Sequence, residues 1–114
     1  MGQKELSYTV FMLLRTTPAW LRLTREKRNA IAGEAFGAAM KGDEVSMSYH
    51  DAEAFSGRAT DVAVFRTRDL YAYYAVVERL RDSALFTEPY FEVVDIIPTI
   101  EEGYRHFEAN EARA

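Results

Sequence analysis

The stretch YTVFMLLR, Tyr8 to Arg15, decides the fold. Side chains alternate across a strand, so Tyr8, Val10, Met12 and Leu14 point one way while Thr9, Phe11 and Leu13 point the other. Both sets are predominantly apolar. Phe91 to Ile97, FEVVDII, repeats the pattern, with Phe91, Val93 and Ile97 expected to oppose Val94 and Ile96. An antiparallel sheet with one wet face alternates apolar with polar. These strands instead need cover on both sides, and the chain has only two amphipathic helices to offer. A second copy is therefore expected over the remaining face, which makes the protein a homodimer.

Working outward, the elements read strand, helix, strand, strand, helix, strand. The first strand spans about Ser7 to Arg15, and a loop containing Pro18 leads to Thr24, a suitable N-cap for a helix reaching about Met40 and stopped by Gly42. Ile31, Ala35 and Ala39 form one ridge of that helix; Ala32, Phe36 and Met40 form the next. Gly33 and Gly37 border this face as a GxxxG spacing, read first as local variation and second as a docking groove. Strands from Val45 to about Glu53 and from Asp61 to Arg66 follow, joined by a loop around AFSGRAT. Asp69 caps a second helix whose stripe is Leu70, Tyr73, Val77, Leu80 and Ala84. Pro89 marks the turn into a last strand, Tyr90 to Ile97, which Pro98 is expected to end. The chain is read as one domain, 1–114, with an ordered core of about 7–104 and a polar C-terminal tail, 105–114.

Composition narrows the function classes. At 114 residues and 48% hydrophobic, the chain can bury a core without staples. The absence of cysteine rules out a disulfide framework, a thiol nucleophile and a cysteine-held metal. A net charge of -4 argues against a nucleic-acid partner, since sequence-independent binding to phosphates needs a basic surface. The apolar run Val10 to Leu14 is far shorter than a membrane span of roughly 20 residues or a secretion-signal core. No membrane association and a cytoplasmic address are expected.

The element order fits two interlocked strand-helix-strand units with right-handed crossovers. That is an α+β, βαββαβ ferredoxin-like fold: a four-stranded antiparallel sheet in the order 4-1-3-2, two helices on one face, and pairing as a dimeric α+β barrel. The blocks YTVFMLLRTTPAWL, DAEAFSGRATDVAVF, AYYAVVERLRD and PYFEVVDIIPTIEEGY resemble the darcynin family over roughly residues 7 to 104. The resemblance implies the fold and the family. It brings no catalytic residues with it, because the family has no established activity.

The topology gathers Arg15, Trp20, His50, Glu53, Arg58, Asp61, Tyr90 and Glu92 at one end of the sheet. Cations, an indole, a phenol and an imidazole together suit a small polar ligand pocket. In that reading Arg15 and Arg58 grip a carboxylate, Trp20 forms an apolar wall, and Tyr90 and His50 orient the polar end. The ligand would be a small carboxylic acid or aromatic compound. An ion-pair network of Arg15 with Asp61 and Glu92 accounts for the same charges. His50 faces opposite to Asp51 and Glu53 on a strand, so no metal is expected there, and no haem or other cofactor either. Asp95 interrupts an apolar run beside the middle of strand 1, either paired with a partner group or held as an acid or base inside the barrel. Two functions follow: a homodimeric small-molecule binding protein, or a cofactor-independent enzyme of oxygenase or isomerase type acting on a small acidic or aromatic compound, with His50 or Asp95 as base.

Overall fold

A computed structural model describes residues 6–113. Strand β1 (Tyr8–Thr16) leads through a short helix α1 (Pro18–Leu21) into α2 (Arg25–Ala39), and β2 (Val45–Asp51) and β3 (Asp61–Thr67) follow. Helices α3 (Leu70–Arg81) and α4 (Ala84–Thr87) precede β4 (Phe91–Ile100), and α5 (Gly103–Arg113) ends the described chain. The four strands pair antiparallel in the order β2-β3-β1-β4, which is the expected 4-1-3-2 order viewed from the other edge. Val10, Met12 and Leu14 of β1 and Ala63 and Phe65 of β3 pack against Ala35, Ala39, Val76 and Leu80 of α2 and α3.

The expected caps hold. Thr24 accepts a hydrogen bond from the Lys27 amide at 3.2 Å, and Asp69 Oδ1 accepts from the Tyr71 and Ala72 amides at 3.0 and 3.2 Å. Gly42 ends the α2 connection with φ 76°, a conformation that costs glycine little. Added Cβ atoms at Gly33 and Gly37 would meet nothing within 4 Å, so the GxxxG edge faces solvent and docks no helix within the chain. Leu70, placed on the apolar stripe by its spacing, is exposed; burial on α3 centres on Val76 and Leu80.

Four departures from the sequence reading matter. The Pro18 loop is a helical turn, because Thr17 caps it and Pro at the first position is pre-set for helical φ. The last strand runs on through Pro98 to Ile100. Since β4 pairs only with β1, it is an edge strand, where a proline's missing N–H need not interrupt a ladder. The register also slips between Leu13 and Leu14, so Val94 becomes an extra residue. This bulge places Ile96 opposite Met12 on the helix side and Ile97 opposite Phe11 on the far side, reversing the expected assignment of both. The polar tail, finally, forms α5.

The sheet face opposite the helices carries Phe11, Leu13, Val62, Val64 and Ile97 in adjoining ladder positions. Ser48 and His50 border it on β2, and Asp95 borders it on β4. Among the described residues no helix packs there.

Candidate functional site

A cavity of about 510 Å³ opens between the sheet and the helices. Its floor is Met12, Ala63 and Phe65; Ala32 and Phe36 of α2 form one wall, and Leu80, Leu85 and Phe86 form another. Trp20 closes one side. Its position follows from local sequence: Thr17 accepts from the Trp20 amide at 3.4 Å and donates its hydroxyl to the Pro89 carbonyl at 2.8 Å. The α1 turn is thereby fastened to the start of β4, and the indole packs 4.9 Å from the Phe91 ring and 5.4 Å from Tyr90. Arg28 secures the far end of the turn, donating from Nε to the Trp20 carbonyl at 3.1 Å and from a terminal nitrogen to Leu21 at 2.8 Å. Lysine and arginine groups satisfy helix C-terminal carbonyls in this way.

The other end of the cavity is acidic. Asp51 and Asp61 are direct cross-strand partners on the helix side of the sheet, and Glu53 follows just beyond the strand end. Asp61 is only 6% exposed, and the Thr60 hydroxyl donates to its Oδ2 at 2.7 Å. Burial pushes its pKa up, and the Asp51 carboxyl, as hydrogen-bond partner and as charge, and the Glu53 charge push it further; only the Thr60 hydrogen bond opposes them. The Tyr49 phenol, next along β2, is likewise raised by burial first and then by Asp61 and Asp51. Among the described residues no group of histidines and carboxylates has the geometry to hold a metal ion.

Stability should report this environment. A carboxyl whose folded pKa exceeds its unfolded value, 3.8 here, holds its proton longer in the native state. The native state then loses stability as pH rises through the folded pKa and regains it on acidification. Asp61→Asn, which can still accept from Thr60, escapes that cost. Melting curves of both proteins between about pH 4 and pH 8 should show the asparagine variant gaining on the parent by several degrees as pH rises. A difference constant across the range would show that Asp61 is not desolvated.

The residues read from sequence divide. Trp20 lines the cavity and Tyr90 buttresses it from behind. Arg15 lies on the opposite sheet face, level with Glu92, and one guanidinium nitrogen donates to the Arg58 carbonyl. Arg58 itself belongs to the exposed β2-β3 loop. No ion pair joins Arg15 to Asp61 or Glu92 among the described residues, and Asp61 faces the other way, so the expected network does not form. His50 is on the far face and shares a 2.9 Å hydrogen bond with Ser48, its neighbour two residues back on the same side. Asp95 is exposed on that face opposite Leu13, its Oδ1 accepting from the Ile96 amide at 2.8 Å. Glu53 and Asp61 stand at the expected end of the sheet; what the sequence reading missed is that Asp51 and Tyr49 join them on the cavity side. The signal was the alternation of Tyr49, Asp51 and Glu53 against Asp61, hidden because sequence alone does not give the β2-β3 register.

Known proteins resemble this chain in sequence and in fold. The family model described as Darcynin, a domain of unknown function, matches residues 1–114. The chain belongs to the darcynin family. Darcynin of Chromobacterium violaceum is 54% identical over 70 residues, 61% of this chain and 89% of that protein. Darcynin 1 of Acinetobacter baumannii is 43% identical over 90 residues, 78% of this chain and the whole of its own length. Among solved structures, chlorite dismutase from Candidatus Nitrospira defluvii in complex with imidazole superposes with a TM-score of 0.70 at 14% identity, over 82% of this chain. The match covers 39% of that enzyme's chain, so the likeness concerns the fold alone. Darcynin membership brings no activity with it, and the chemistry of this member has to be read from its own cavity. Among the described residues no helix is long and apolar enough to cross a membrane.

Proposed function

We propose that this darcynin-family protein is a homodimeric small-molecule binding protein whose ligand occupies the cavity between sheet and helices. The observation that carries the reading is the cavity itself: apolar and aromatic walls with a few convergent polar groups at one end, the usual composition of a ligand site. Its volume admits an aromatic body against Trp20, Phe36 and Phe86. The polar end, with Asp51, Glu53 and Asp61, favours a ligand that presents hydrogen-bond donors or a positive charge there. Arg15 and Arg58, which suggested a carboxylic acid, lie outside the cavity; the arginines that line it are Arg25 and Arg28, and Arg28 is engaged with the Trp20 and Leu21 carbonyls, so the carboxylate half of that expectation rests on Arg25 while the aromatic half is kept. The homodimer is supported by the apolar face built from Phe11, Leu13, Val62, Val64 and Ile97, which one more sheet of the same kind would cover.

Thermal melting across a panel of aromatic amines and aromatic acids tests the ligand. A ligand at about 100 times its Kd stabilises the folded state by roughly 2.7 kcal/mol. Amines should shift the melting temperature, and Asp61→Asn should weaken their binding at least tenfold by calorimetry. Ala32→Trp, which fills the cavity from α2, should abolish it. Binding of acids that is indifferent to Asp61→Asn would refute the acidic-end assignment, and no shift across the panel would remove the support for a ligand cavity.

A further inference from the structure

Helix α5 has no reason to be a helix on its own. It is 11 residues long, buries no residue, and no other described element packs along it. Isolated helices below about 12–15 residues are marginal in water, and most helical stability in proteins comes from packing an apolar face. Such a face exists on α5: Tyr104 and Phe107, three residues apart, form one stripe and stand 59% and 65% exposed. Glu108 and Glu111 flank that stripe on the same side of the helix.

The complementary charges lie at the same end of the sheet. Ile100, where β4 ends and the chain turns into α5, is level with Tyr8 and Thr67, and Arg66 and Arg68 flank Thr67. Both arginines are exposed and form no ion pair among the described residues. A two-fold axis parallel to the strands, between two facing open sheets, lays β4 of one copy over β2 of the other and keeps equal strand ends together. The helix leaving β4 of one copy then starts beside Arg66 and Arg68 of the second.

We infer that α5 docks on a second copy of this chain, with Tyr104 and Phe107 buried against it and Glu108 and Glu111 meeting its Arg66 and Arg68. This rests on the homodimer proposed above and adds to it the element that clasps the two subunits. Burying both rings and the surface that receives them, twice in a symmetric pair, removes on the order of 1,000 Å² from water, the scale a specific interface needs.

Sedimentation equilibrium of the full chain and of the Tyr104→Ser/Phe107→Ser double variant tests the docking. Both rings are exposed within one chain, so the double variant keeps its fold, while its dimer Kd should rise at least tenfold. Arg66→Glu/Arg68→Glu should weaken the homodimer too. Mixed with Glu108→Arg/Glu111→Arg, it should form heterodimers in preference to either homodimer. Because the chain has no cysteine, Ala112→Cys takes a single spin label, which should be immobilised in the dimer and mobile in the double variant. A double variant that dimerises as tightly as the parent, or a label mobile in the dimer, overturns the docking of α5 alone. A full chain that is monomeric at tens of micromolar overturns the dimer and the docking together.

Discussion

Phe65→Ala should cost about 3–5 kcal/mol of stability, a large share of the roughly 5–15 kcal/mol available to a domain of ordinary size. Phe65 is fully buried at the centre of β3, between Val10 of β1 and Met47 of β2 in the ladder. Its ring meets the Tyr73 ring edge-on, with centroids 5.5 Å apart. The flanking strands are held by backbone hydrogen bonds and cannot close over the space left behind, so the loss includes the void as well as the transfer of the ring. The melting temperature should fall by roughly 10–20 °C. Tyr71→Ala is the control: that ring is 73% exposed and its removal should stay within about 0.5 kcal/mol. A Phe65→Ala protein melting within two or three degrees of the parent would show that the floor of the cavity is not packed as described.

Phe11→Glu should dissociate the proposed dimer. Phe11 sits between Val64 and Ile97 in the middle of the open sheet face. In the dimer a carboxylate there would be taken out of water with no partner, which costs several kcal/mol, whereas in the monomer the same carboxylate is wet. A rise in Kd of at least about 100-fold, equivalent to roughly 2.7 kcal/mol, is expected. Circular dichroism of the dilute variant should match the parent, separating lost association from lost folding. If the variant dimerises with unchanged affinity, the interface lies elsewhere on the molecule.

Local rules in the chain reached a long way. Thr24 and Asp69 cap α2 and α3 as their residue types require, and the two-faced apolarity of Tyr8 to Arg15 is that of a central strand. These features depend on residues a few positions apart, within reach of one another before any tertiary contact forms. Pro98 was misread for the complementary reason. A proline's effect depends on whether its strand is central or at the edge, and that is a property of the sheet.

The site was less legible because it is made of register. One bulge beside Val94 exchanged the faces of Ile96 and Ile97, a change no alternation rule within β4 could signal. The pairing of Asp51 with Asp61 likewise arises only when β2 and β3 align, turning carboxyls on two separate strands into a facing pair with one of them buried. Arg15 and Asp61 share one end of the sheet, as the topology required, yet point to opposite faces because each side chain follows its own strand's alternation. By itself the sequence determined the four strands, the two long helices, their order and the apolarity of both sheet faces, since these follow from side-chain period and caps. Tertiary structure alone decided which carboxyls enter the cavity and which cations leave it, because facing depends on cross-strand register, and a slip of one residue turns every later side chain to the other side.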